Sequence, residues 1–183
     1  MFKIKKQINE NAIKKDFFSK KKQPSIIKKY IHLKQKISIE KTFFVDKLNE
    51  VDLPKINKQS LVLTKMNSSP FELIKDIKID EVLIFFSRIN KKQFESIKRL
   101  PIFGMAVSER VLEKNKELYD EIKKTCQIKF SNNHSKMLLF RSNSNFYVAE
   151  GSGNPSINAR NEFYIIHNSE EMYNTIKKTF EDA

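Results

Sequence analysis

From residue 60 onward, short apolar runs of β type alternate with amphipathic stretches, and this alternation restricts the chain to a layered α/β arrangement. "SLVLTKM" (60–66) reads as a strand. "SSPFELIKDI" (68–77) reads as a helix opened by Ser69, with Pro70 in its first position and Glu72 three residues after the cap. "EVLIFF" (81–86) is apolar on both sides of the pleat, as in a strand buried on both faces, and "NKKQFESIKRL" (90–100) follows with helical spacing. "IFGMAVS" (102–108) and "ERVLEKNKELYDEIKKT" (109–125) repeat the order. After "CQIKF" come two close strands, the strand "EFYIIH" (162–167) and an amphipathic helix from Ser169 through Phe180. The expected fold is a mixed β-sheet flanked by helices.

The part before residue 51 reads differently. Residues 1–41 hold 13 lysines against Glu10, Asp16 and Glu40, so most of the net charge of +13 lies there. Such a block attracts polyanions by releasing their condensed counterions, which makes nucleic acid, DNA or RNA, the expected partner; a solvated surface is the plainer reading of the same lysines. "YIHLKQKISIEKTFF" alternates in part like an exposed strand. The expected organisation is a lysine-rich N-terminal extension over residues 1–50 and a domain over 51–183.

Other classes are disfavoured by what the sequence lacks. The longest unbroken apolar run, Val82 to Phe86, is far short of the roughly 20 residues of a membrane span, and no apolar stretch follows the basic start as in a secretion signal, so a cytoplasmic location is expected. The single cysteine, Cys126, cannot form an internal disulfide and speaks against a Cys-based zinc site. No metal and no cofactor are expected. A serine-hydrolase elbow would need glycine where Glu150 stands.

The chemistry concentrates in "NHSKMLLFRSNSNFYVAEGSGNPSINARNE" (133–162), which carries two of the three glycines in the protein. Residues two apart on a strand share a face, so His134 and Lys136 form one pair and Ser152 and Asn154 another. A hairpin turning through Ser142 to Asn145 opposes residues whose numbers sum to about 287, which puts His134 across from Gly153 and Lys136 across from Gly151. With no Cβ, Gly151 and Gly153 would leave space for a ligand beside the four polar side chains. An imidazole, an ammonium, a hydroxyl and an amide suit a phosphodiester better than a metal: Lys136 and Asn154 hold non-bridging oxygens, Ser152 adds a hydrogen bond, and His134 serves as nucleophile or proton donor. Arg141 and Arg160, which flank the motif, are candidate phosphate clamps. His32 and His167 have no comparable company, and His167 reads as structural.

The string "HSKMLLF...YVAEGSGN" resembles the signature of the phospholipase D superfamily, in which His-x-Lys on one strand is followed by Gly-Ser-x-Asn on the next. The resemblance extends over about residues 58 to 183 and is strongest to small phospholipase D-like proteins of phages and mobile elements. It implies His134 as the nucleophile of a phosphohistidine intermediate, Lys136 and Asn154 gripping the phosphate, Ser152 supporting the site and Glu162 orienting the histidine. One motif per chain implies a homodimer, the second His134 protonating the leaving oxygen. The family's aspartate five residues after the lysine is Arg141 here, and the interval to Gly-Ser-x-Asn is about three residues longer than usual. The functions implied are a metal-independent phosphodiesterase acting on nucleic acid, or a catalytically impaired domain that binds DNA or RNA as an accessory protein; a phospholipid-processing enzyme is a third.

Overall fold

Eight strands and three α-helices are described in the computed structural model, which covers residues 37–65, 68–109, 115–131, 134–153 and 161–183. All of these belong to one compact unit, Leu33–Ala183. In chain order they are β1 (Ser38–Val45), β2 (Lys58–Thr64), β3 (Glu81–Phe86), α1 (Lys91–Ile97), β4 (Ile102–Ser108), α2 (Lys116–Thr125), β5 (Gln127–Ser131), β6 (Lys136–Ser142), β7 (Asn145–Gly151), β8 (Glu162–Asn168) and α3 (Glu170–Asp182). The strands form one sheet in the order β1-β2-β8-β7-β6-β3-β4-β5. β3, β4 and β5 are parallel, as are β1 and β2, while β6, β7 and β8 are antiparallel to their neighbours. The fold is therefore α/β, with a mixed sheet flanked by helices.

The caps follow local chemistry. Asn90 accepts from Gln93 N at 2.9 Å while the Gln93 side chain accepts from Asn90 N at 2.7 Å, a reciprocal box that starts α1. Ser69 caps Phe71 N, but the expected helix there is a single 3-10 stretch, Pro70–Ile74, because Glu72 turns to the Ser68 hydroxyl instead of the cap. The β6–β7 hairpin turns on Asn143 and Ser144, with φ of 47° and 63°, the paired positive values of a two-residue turn that matches the twist of the strands. Its register runs from Met137 opposite Glu150 to Ser142 opposite Asn145, so opposed numbers sum to 287 throughout.

Each face of the sheet has its own core. Val62, Ile84, Phe86, Leu138, Phe140, Tyr164 and Ile166 point to the side of α1, α2 and the 3-10 stretch; Leu83, Ala106, Leu139 and Val148 point to Tyr173, Ile176 and Phe180 of α3. Burying each such large apolar side chain contributes about 1.5–3 kcal/mol.

The boundary expected at residue 50 is corrected. Ser38–Val45 is an edge strand paired with β2, and the Leu48 side chain is fully buried, so residues 38–50 belong to the sheet domain. The physical reason is the "TFFV" run, which sends Phe43 and Val45 into the core.

Candidate active site

The carboxyl ends of β1, β2, β3, β4, β5 and β7 meet one edge of the sheet, where β6 and β8 begin. Ligands of open α/β sheets bind at the carboxyl ends of strands, because loops leaving there can diverge around a ligand. His134, Lys136, Gly151, Ser152, Gly153 and Glu162 all lie at this edge.

Lys136 is the first residue of β6. It pairs with Phe86 on β3, and one step beyond the Met137–Glu150 pair the same register sets it opposite Gly151. Alternation puts it on the face of Leu138 and Phe140. It is half-buried, and among the described residues it has no hydrogen-bond or ion-pair partner. A half-buried lysine with no carboxylate beside it leaves its ammonium open to an anion. His134 lies two residues before the strand, exposed and likewise without a partner among the described residues.

Ser152 follows the last residue of β7. Its backbone N still donates to Phe163 O at 2.9 Å, one bond beyond the Gly151–Tyr164 pair, and its hydroxyl turns to β8. It donates to Glu162 Oε2 at 2.5 Å and accepts from Phe163 N at 3.0 Å. Glu162 is 8% exposed and shares the face of Tyr164 and Ile166, the face of Lys136. Its backbone is fixed on both sides by Thr64 Oγ1, which accepts from Glu162 N at 3.3 Å and donates to Glu162 O at 3.4 Å. A hydroxyl-to-carboxylate bond this short is charge-assisted and holds the loop after β7 to the start of β8.

The glycines act differently from the sequence expectation. A Cβ on Gly153 would overlap the Tyr164 hydroxyl, and one on Gly151 would overlap the Phe163 carbonyl and the Tyr164 ring. The space that they leave is occupied by Tyr164, not held open for a ligand. Tyr164 is 1% exposed, and its hydroxyl donates to Ser68 O at 2.6 Å. The Ser68 hydroxyl donates to Glu72 at 2.5 Å and accepts from Leu48 N at 2.7 Å. Burial, with the negative charges of Glu162 and Glu72, pushes the Tyr164 phenol far above its usual range, so it stays a donor. Thr64, Ser68 and Tyr164 were not legible as site residues; the one hint was the Ser-Ser-Pro-x-Glu punctuation after an apolar run.

Arg141 is also corrected. It stands five residues along β6 from Lys136, roughly 16 Å away, at the opposite end of the strand. There it pairs with Glu81, whose carboxylate accepts from Tyr173 at 2.7 Å and from Lys177 at 2.7 Å. Burial would raise the Glu81 carboxyl, but the bonds from Lys177 and Tyr173 and the charges of Lys177 and Arg141 outweigh it and leave the carboxyl below its ordinary value. Arg141 thus belongs to an ion cluster beside α3, at the end of β6 away from Lys136. Glu150 lies near His167, with Oε1 to Nε2 at 3.4 Å, and this hydrogen bond holds the Glu150 carboxyl below its ordinary range. Asn154 and Arg160 lie outside the described residues.

The chain matches no protein-family model and no curated protein sequence. Several solved chains align with it, among them two of low identity. One is TrmBL2, an archaeal chromatin protein whose structure shows a novel mode of DNA binding, at 12% identity and a TM-score of 0.45 over 67% of this chain and 51% of that one. The other is a mutant of yeast tyrosyl-DNA phosphodiesterase 1, at 12% identity and a TM-score of 0.41 over 58% of this chain and 31% of that one. The chain thus spans about half the length of the first and under a third of the second. No helix among the described residues is long and apolar enough to cross a membrane.

Proposed function

We propose that the chain is a metal-independent phosphodiesterase of the phospholipase D type, cytoplasmic, acting on DNA or RNA with one active site shared across a homodimer. The observation that carries this reading is Lys136. It is a half-buried lysine with no acidic partner among the described residues, at the edge that also holds the Ser152–Glu162 hydrogen bond and two residues after His134, which has no partner among the described residues either.

In this reading Lys136, with Asn154, binds the non-bridging oxygens of a phosphodiester. An imidazole nitrogen of His134 attacks phosphorus, forming a P–N bond as the P–O bond to the leaving oxygen breaks. That oxygen takes a proton from His134 of the second chain. Water, losing a proton to the second histidine, then displaces the first, which leaves a phosphomonoester and free imidazole. The lysines of residues 1–41 add affinity along the polyanion.

The departure at Arg141 favours one second reading, an accessory domain that binds nucleic acid without cutting it. Labelled DNA and RNA incubated with the full-length protein in excess EDTA separate the two. Cleavage that proceeds in EDTA is the expected result. Binding that weakens steeply with salt, without cleavage under any condition, selects the accessory reading.

A further inference from the structure

β3, the strand that pairs with the start of β6, runs on into a cationic segment at the same edge. Pairs between the two strands run from Glu81 opposite Arg141 to Phe86 opposite Lys136, with numbers that sum to 222. The same register, carried two residues further, sets Arg88 across from His134. The backbone is fixed on both sides of Arg88. Ser87 O accepts from Ser108 N of β4 at 3.1 Å, and Ile89 is 3% exposed and packed in the core. Asn90 and Gln93 then close the capping box of α1, which uses both of their backbone N–H groups and leaves contact with a ligand to side chains.

Arg88, Lys91 and Lys92 are exposed, and none of the three has a hydrogen-bond or ion-pair partner among the described residues. No Asp or Glu stands between Glu81 and Glu95. Glu109, which follows the neighbouring strand β4, makes no ion pair with them among the described residues. Nearby cations differ: Lys65, after β2, pairs with Asp46 at 3.3 Å, and Lys98, at the far end of α1, pairs with Glu95.

We propose that Arg88 is a phosphate-binding residue of this site, and that Lys91 and Lys92 hold the phosphates next to it along a nucleic-acid strand. The proposal rests on the reading of this edge as a phosphodiester site and extends it from one phosphate to a run of them. One phosphodiester carries a single negative charge, which Lys136 alone can balance. Three further cations match a chain of phosphates and exceed what a lone phosphate needs. A guanidinium can meet two phosphate oxygens at once, and a fixed backbone on either side lowers the cost of holding it in place.

Binding of a short labelled single-stranded DNA to the full-length protein, measured in EDTA over a range of potassium chloride, tests this. Every protein compared carries His134→Ala, so that cleavage does not intervene. Arg88→Gln should weaken binding on the order of 10-fold and lower the slope of log affinity against log salt by about 0.7. Arg88→Lys should keep the slope and recover only part of the affinity. Arg99→Gln removes an exposed cation at the other end of α1 and should change affinity by no more than about twofold. Arg88→Gln equal to its parent, or an equal loss in Arg99→Gln, overturns the proposal. With His134 restored, the two readings separate. Binding lost in Arg88→Gln by a protein that cuts nothing upholds the phosphate contact and removes the phosphodiesterase. Cleavage and binding that Arg88→Gln leaves unchanged uphold the phosphodiesterase and remove the phosphate contact.

Discussion

His134→Ala should lower EDTA-resistant cleavage at least roughly 10³-fold while nucleic-acid affinity changes by no more than about twofold. The separation follows from where the charges lie. In the proposed mechanism, removing the imidazole takes away the atom that forms the bond to phosphorus, while the lysine at 136 and those of residues 1–41 remain to bind the polyanion. Stability is not expected to intervene. His134 is exposed and has no partner among the described residues, and substitutions at such positions stay within about 0.5 kcal/mol. Single-turnover cleavage, filter binding and a thermal melt on one preparation measure the three quantities. If His134 were an ordinary surface histidine, cleavage would be unchanged.

The second large effect concerns stability. Gly153→Ala should destabilise the domain by roughly 2–4 kcal/mol, because the added methyl meets first the Tyr164 hydroxyl, which is buried and tied to Ser68 O at 2.6 Å, and then, less severely, the ring carbon that bears it. Backbone conformation is not the cause, since no described glycine has positive φ. Tyr164→Phe removes the obstructing oxygen and by itself should cost about 1–2 kcal/mol for the lost hydrogen bond. The double variant should then be more stable than the two single costs predict, with a coupling above about 1 kcal/mol in urea unfolding. Strict additivity would mean that the tyrosine hydroxyl is not what the glycine accommodates.

Much of the fold was legible because period and punctuation agree along most of the chain. The run "IFGMAVS" became β4 with the same bounds, and the "SNSN" break fixed both the turn and the register of the hairpin. The first strand was harder to place, since its outward residues Ile39 and Phe44 are apolar and blur the alternation that marks an edge. Around the site, the order of residues along each strand was readable but not where each strand stops. The Ser152 hydroxyl finds its partners in Glu162 and Phe163 N, which lie beyond the reach of local pattern. Equally, a glycine in a strand shows only that something comes close. Tyr164, across the sheet on β8, supplies the contact, and pairing of β7 with β8 could not be deduced from local pattern. Arg141 illustrates the converse case: a motif residue and its flanking arginine on one strand, Lys136 and Arg141, lie at opposite ends and on opposite faces.

The most direct measurement is capture of the covalent intermediate. Full-length protein would be mixed with a labelled oligonucleotide in EDTA, quenched in alkali to preserve a phosphoramidate, and mapped by peptide. The account predicts label on the imidazole of His134, released by mild acid. Cleavage that proceeds with label on another residue, or with none at any time point, would contradict it.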